Sequence, residues 1–171
     1  KTGLVPFGEI RTMTADMPTL TFNTVGRHIS RIARTRTVSA LSPWALDASV
    51  IDERVHLIPV SHGEGRIVVA SSLAQQLFAS GQVFSQYVDA LGVPAVTEPD
   101  NPNGSLFAIE GLTSPDGRVL GKMGHSERTI GIDGGGASRD LIKNVAGDPL
   151  ANEYETSCQN IFAAGVRYFN N

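Results

Sequence analysis

Hydrophobic and polar positions change their period several times along this chain, and the changes divide it into many short strands and few helices. Residues 19–24 and 28–39 are rich in Thr, Val and Ile and read as strands, with Gly26 at a bend between them. Residues 55–60 form a short apolar strand that runs into the loop Ser61-His-Gly-Glu-Gly-Arg66, and residues 67–70 form a second. A helix is predicted next, capped by Ser71 or Ser72, carrying Leu73, Leu77 and Phe78 on one face and closed by Gly81. Residues 83–89 are strand-like and end in a turn at Leu91-Gly-Val-Pro94. Asn101-Pro-Asn-Gly-Ser105 is the strongest turn signal in the chain. Residues 107–113 and 118–123 flank Ser114-Pro-Asp-Gly117 and so predict an antiparallel hairpin. Residues 155–169 predict a helix with Ile161, Phe162, Gly165 and Phe169 on one face.

The remaining segments carry less pattern. Residues 1–4 read as the tail of a helix stopped by Pro6 and Gly8, and residues 11–18 as a polar connection. Ser42-Pro43-Trp44 opens a helix, with Ser42 capping and Pro43 at the first helical position. Residues 131–138 are a glycine-rich loop, and 140–145 a short helix or turn.

Composition narrows the function classes. With 171 residues, 41% hydrophobic and 18% charged, the chain is long enough for one core and reads as a single domain. A net charge of -3 and scattered Arg residues give no basic tract to follow a phosphate backbone, so nucleic acid is not an expected partner, although residues 27–36 are locally positive. No stretch approaches the ~20 apolar residues of a membrane span. The single cysteine, Cys158, excludes an intrachain disulfide and fits a reducing, cytoplasmic setting.

The candidate chemistry centres on Gly121-Lys-Met-Gly-His125-Ser-Glu127-Arg-Thr129 at the end of the predicted hairpin. In extended backbone, residues two apart face the same side, so the imidazole of His125 and the carboxylate of Glu127 can meet. Such a carboxylate fixes one tautomer, orients the ring and stabilises the imidazolium, as in triads built on Ser or Cys nucleophiles. A second His-x-Glu occurs at His62 and Glu64, flanked by Gly63 and Gly65. The four groups His62, Glu64, His125 and Glu127 therefore offer an alternative, a non-catalytic site for a metal or a metabolite, since zinc accepts His and carboxylate ligands. Gly134-Gly-Gly136 lacks the following Lys-Ser/Thr of a phosphate-binding loop. Cys158 lacks the small flanking residues of a nucleophile elbow and reads as structural, although a nearby helix start leaves reactivity open.

Five motifs in order, Ser61-His-Gly-Glu-Gly-Arg66, Tyr87-Val-Asp89, Asn101-Pro-Asn-Gly-Ser105, Ser114-Pro-Asp-Gly-Arg-Val119 and Gly124-His-Ser-Glu-Arg128, resemble the glutaminase domain of phosphoribosylformylglycinamidine synthase. The likeness extends from Gly3-Leu-Val-Pro-Phe-Gly-Glu9 through Leu41-Ser-Pro-Trp44 to Ala164-Gly-Val-Arg-Tyr-Phe169, and leaves out only residues 133–139 and 148–157. It is nearest to the form in which synthetase and glutaminase share one chain. The resemblance implies an α/β fold of the class I glutamine amidotransferase (flavodoxin-like) kind, a mixed, largely parallel sheet flanked by helices. It implies hydrolysis of glutamine by a Cys-His-Glu triad, with the ammonia passed to a synthetase domain that uses ATP and magnesium in purine biosynthesis. No cofactor is implied for the glutaminase domain itself. His125 and Glu127 match the second and third triad members, with Ser126 replacing the Pro commonest between them. Ser61, His62, Gly63 and Glu64 match a loop beside the glutamine pocket.

The family's nucleophile lies on a cysteine elbow ahead of the Leu-Val-Pro-Phe-Gly stretch, so residues 1–171 read as the C-terminal portion of one glutaminase domain. The chain by itself is expected to be inactive, and to cover an open sheet edge by self-association or by joining the N-terminal part.

Overall fold

The computed structural model describes residues 2–45, 55–128, 150 and 161–170. Seven strands carry it: β1 (Thr19–Thr21), β2 (Ile29–Thr37), β3 (His56–His62), β4 (Arg66–Val68), β5 (Val83–Tyr87), β6 (Ile109–Thr113) and β7 (Leu120–Lys122). The helices are α1 (Leu4–Phe7), a single turn, then α2 (Ser71–Ala79) and α3 (Ile161–Phe169). Five strands form one sheet in the order β3-β2-β5-β6-β7, and β1 pairs with β4 in a separate ribbon.

The predicted strands and the hairpin form where the pattern places them. Gly26 takes a φ of 67° between β1 and β2, as a bend requires. Ser114 and Asp116 close the hairpin turn: Ser114 N donates to Val119 O at 2.9 Å, and Asp116 Oδ1 accepts from Arg118 N at 3.1 Å.

Every strand pairing among the described residues is antiparallel, where the resemblance implies a mixed, largely parallel sheet. The connections explain this. Parallel neighbours need a crossover of about a dozen residues or more. The helical crossover between described strands, α2, joins β4 to β5, which lie in different sheets.

The sheet curls until its two edges touch. Val60 on β3 bridges Gly124, two residues past β7, and His125 N donates to Pro59 O at 2.8 Å. In one cluster Val60, Tyr87, Ala33 and Ala108 pack with Met123. In a second Ile67, Val69, Ala74, Leu77, Val83, Ile109 and Leu112, from β4 and the residue after it, α2, β5 and β6, pack together, and in a third Ile161 of α3 packs with Ala45 and Phe84. At about 25 cal/mol per Å2 these apolar clusters are the main stabilising force, and they fix both ends of the hairpin that delivers His125.

Several local expectations are corrected. Ser71 is the first residue of α2 rather than its cap, because Ala74 N already bonds Ala70 O at 2.9 Å; Ala70 is the N-cap and makes no side-chain cap bond. The first turn lies at Leu4–Phe7 and includes Pro6 instead of ending before it, closing where Gly8 N donates to Leu4 O at 2.9 Å. Ser42-Pro43-Trp44 opens a single 3-10 turn, Pro43–Ala45, with Ser42 Oγ accepting from Trp44 N at 3.3 Å. In α3 the buried face is Ile161, Ala164 and Gly165, whereas Phe162 and Phe169 are 40% and 60% exposed. Gly165 turns that face toward Trp44, since a Cβ there would lie 2.3 Å from the indole ring. The expected loop at 131–138, the element at 140–145, residues 155–160 of the helix and Cys158 lie outside the described residues.

Candidate active site

The chain leaves β7 through Gly124 and enters a 3-10 turn, Ser126–Arg128. His125 and Glu127 therefore do not meet in extended backbone, as their spacing alone implied. The turn brings them together by another route, with Arg128 N donating to His125 O at 3.1 Å and the side chains folded onto each other. His125 Nδ1 lies 2.6 Å from Glu127 Oε1, the short separation of a charge-assisted bond. An ionised carboxylate only accepts, so Nδ1 carries the proton and Nε2 is left as the basic nitrogen. Partial burial raises the affinity of the Glu127 carboxyl for its proton. The hydrogen bond from His125, the turn backbone, and the charges of His125 and Arg128 outweigh that effect and leave its pKa below the ordinary carboxylate value.

The pair lines a cavity of about 370 Å³ with Trp44, Leu120, Lys122, Ile161 and Phe162. Its walls come from three parts of the chain: the Pro43–Ala45 turn, the hairpin with its following turn, and α3. A His/Glu pair on such a wall can take a proton at Nε2 from a nucleophile or water and return it to a leaving group.

Gly124 has no room for a side chain, since a Cβ would fall 2.2 Å from Ile58 Cγ2 and 2.9 Å from Glu110 Oε1. Its N–H donates to Glu110 Oε1 at 2.6 Å.

Ser61 and His62 end β3 two and three residues past Pro59, and Gly63 and Glu64 follow in the loop. None of the four is among the residues lining the His125 cavity. Asn23 holds this loop in place. Its Nδ2 donates to Arg27 O at 2.9 Å and His62 O at 2.8 Å, so Oδ1 is the acceptor, and it receives Gly65 N at 3.2 Å. His62 Nδ1, 3.2 Å from the same oxygen, must therefore carry the proton. Nε2 is buried and makes no hydrogen bond. Burial pushes the His62 pKa below 6.5, the nearby charges of His125 and His28 push the same way, and the loop backbone and Glu110 oppose them. Ser61 Oγ lies 3.4 Å from His28 Nε2.

The turn 101–105 braces the loop from the other side. Asn103 Nδ2 donates to Gly65 O at 2.8 Å and to the buried Tyr87 hydroxyl at 3.0 Å. Ser105 Oγ accepts from Ile67 N at 3.0 Å. Among the described residues no three His, Cys, Asp or Glu side chains gather as ligands for one ion, so the set His62, Glu64, His125 and Glu127 is not assembled as a metal site.

Sequence reading missed Glu110, Lys122 and the aromatic wall of Trp44. The signal for Glu110 was a lone carboxylate inside the apolar strand Ile109-Glu-Gly-Leu-Thr113.

The chain belongs to the CobB/CobQ-like glutamine amidotransferase domain family, whose profile matches residues 1–169. It is 36% identical over 133 residues to the phosphoribosylformylglycinamidine synthase subunit PurQ of Salinibacter ruber, a match covering 75% of this chain and 55% of that protein. The subunit PurQ of Thermomicrobium roseum is 39% identical over 98 residues, 57% of this chain and 38% of that one. Among solved structures, PurLQS from Thermotoga maritima superposes with a TM-score of 0.57 at 21% identity, covering 90% of this chain and 53% of that one. The fold is thus of the class I glutamine amidotransferase kind, and the chain spans about half the length of the curated relatives it matches. No helix among the described residues is long and apolar enough to cross a membrane.

Proposed function

We propose that this chain supplies the acid/base half of the glutaminase in a phosphoribosylformylglycinamidine synthase. The observation that carries the reading is the 2.6 Å bond between His125 Nδ1 and Glu127 Oε1 on the wall of a cavity, in a member of the glutamine amidotransferase family. The names of the relatives support the choice of substrate and pathway.

In this reading a cysteine on an elbow ahead of the first turn passes its thiol proton to His125 Nε2, and the thiolate attacks the side-chain amide carbon of glutamine. The C–N bond breaks, and the departing nitrogen takes a proton from His125 and leaves as ammonia. His125 Nε2 then removes a proton from water, whose oxygen attacks the thioester and frees glutamate and the thiolate. Glu127 keeps Nδ1 protonated and stabilises the imidazolium in both halves. Ser61, His62, Gly63 and Glu64 border the glutamine pocket from the β3 side, a placement supported by β3 also holding His125 through Pro59 O. Ammonia passes to a synthetase domain, where ATP and magnesium serve conversion of formylglycinamide ribonucleotide to the amidine, in the cytoplasm. The glutaminase part needs no cofactor.

The test is release of glutamate and ammonia from glutamine by the protein with its thiol-bearing segment present. His125→Ala should lose a factor on the order of 10²–10⁴ in kcat. Undiminished hydrolysis by a natively folded His125→Ala protein would overturn the reading.

A further inference from the structure

Beneath the His125–Glu127 pair runs a buried polar chain that the reaction does not itself use. The side chain of Glu110, the second residue of β6, is 0% exposed, and the Lys122 side chain on β7 is 8% exposed. The Glu110 Oε1 atom lies 3.5 Å from Lys122 Nζ and accepts Gly124 N–H at 2.6 Å, while Oε2 accepts the hydroxyl of Ser85 on β5. Lys122 Nζ in turn donates to Ser126 Oγ at 3.0 Å, and Ser126 is the residue between His125 and Glu127.

Stability alone is a weak reason for such a pair. Taking both charges out of water offsets much of their attraction, and well-packed apolar residues of the same volume do as well or better. The pair's contacts point instead to the turn. One oxygen of Glu110 fixes the residue before His125, and the ammonium fixes the residue after it. Pro59 O holds the backbone of His125 itself at 2.8 Å. Residues 124, 125 and 126 are each anchored by a separate bond to the sheet.

We propose that Glu110 and Lys122 are positioning residues, a buried carboxylate–ammonium pair that sets the 124–126 backbone so that the His125 imidazole stays against Glu127. Its service to glutamine hydrolysis rests on the function proposed above, whereas its hold on the turn does not. A misplacement of about 1 Å at a reacting group costs on the order of 10²-fold in rate, so a positioning pair should appear in kcat without touching the reacting atoms.

The test uses Glu110→Gln, Lys122→Met, the double variant and Ser126→Ala in the protein with its thiol-bearing segment present, with folding checked by near-UV circular dichroism. The readouts are the proton resonance of His125 Nδ1–H, which a short bond to Glu127 holds at low field, and kcat and KM for glutamine. Each natively folded variant should move the His125 resonance. Each should lower kcat by roughly 10–10²-fold with KM little changed. A parental His125 resonance in folded Glu110→Gln and Lys122→Met would overturn the proposal. If those two fail to fold, the double variant and Ser126→Ala decide by the same resonance, since neither leaves a buried charge unpaired. Absence of glutamine hydrolysis in the parent protein with its thiol-bearing segment present would sink the proposed function and leave the resonance to decide the positioning.

Discussion

Val60 on β3 bridges Gly124 just past β7, and this one pairing closes the curled sheet at the point where His125 emerges. The bridge requires a glycine, for a Cβ on residue 124 would meet Ile58 Cγ2 at 2.2 Å and Glu110 Oε1 at 2.9 Å. Gly124→Ala should therefore cost about 1–3 kcal/mol by overpacking, and should lower activity beyond what the lost stability explains. Chemical denaturation beside a glutaminase assay on the folded fraction measures both. A neutral substitution would show that the seam is looser than described.

Glu127 gives the pair a pH signature in stability. Its folded pKa lies below the ordinary carboxylate value of 4.5, so the folded state binds its proton less readily than the unfolded state does. The stabilisation it gives is complete above 4.5 and is lost as pH falls through the folded value. The melting temperature of Glu127→Gln should thus lie below that of the parent above pH 4.5, with the gap closing as pH falls through the folded value. The side chain is 58% exposed, so added salt should narrow the gap as well. A gap that stays open below the folded value contradicts the assignment.

His62 predicts a second limb. Burial holds its folded pKa below 6.5, so the unfolded state takes up the proton first as the solution is acidified. Its neutral form is matched to the fold above 6.5, and stability falls as pH drops from there through the folded value. Thermal melts of the parent across that range should show the decline, and His62→Gln should flatten it. An equally steep decline in the variant would assign it to another group.

How much of this was legible in the sequence depends on the distance each interaction spans. The strands at 29–37, 56–62, 83–87 and the 109–122 hairpin follow from local alternation and turn chemistry, and they were read within a few residues. The His125–Glu127 contact was also legible, although for the wrong geometric reason, because a 3-10 turn and an extended segment both bring residues two apart within reach of a long carboxylate. The antiparallel closure of the sheet was not, since Val60 and Gly124 are brought together by the packing of five strands rather than by either neighbourhood. Glu110 was missed for the same reason, because a carboxylate in an apolar strand announces a buried partner without naming it, and Lys122 meets it only when β6 and β7 pair. Helical spacing put Phe162 and Phe169 on one face with Ile161 and Gly165, whereas the buried face is Ile161, Ala164 and Gly165, whose small residues let Trp44 approach.

The central claim is that His125 and Glu127 act as one unit in glutamine hydrolysis, and a double-mutant cycle on kcat tests it most directly. With His125→Ala, Glu127→Gln and the double variant compared in the thiol-competent protein, His125→Ala should lose roughly 10²–10⁴-fold, Glu127→Gln a smaller factor, and the double variant no more than His125→Ala alone. Losses that multiply in the double variant, or full activity in folded His125→Ala, would contradict it.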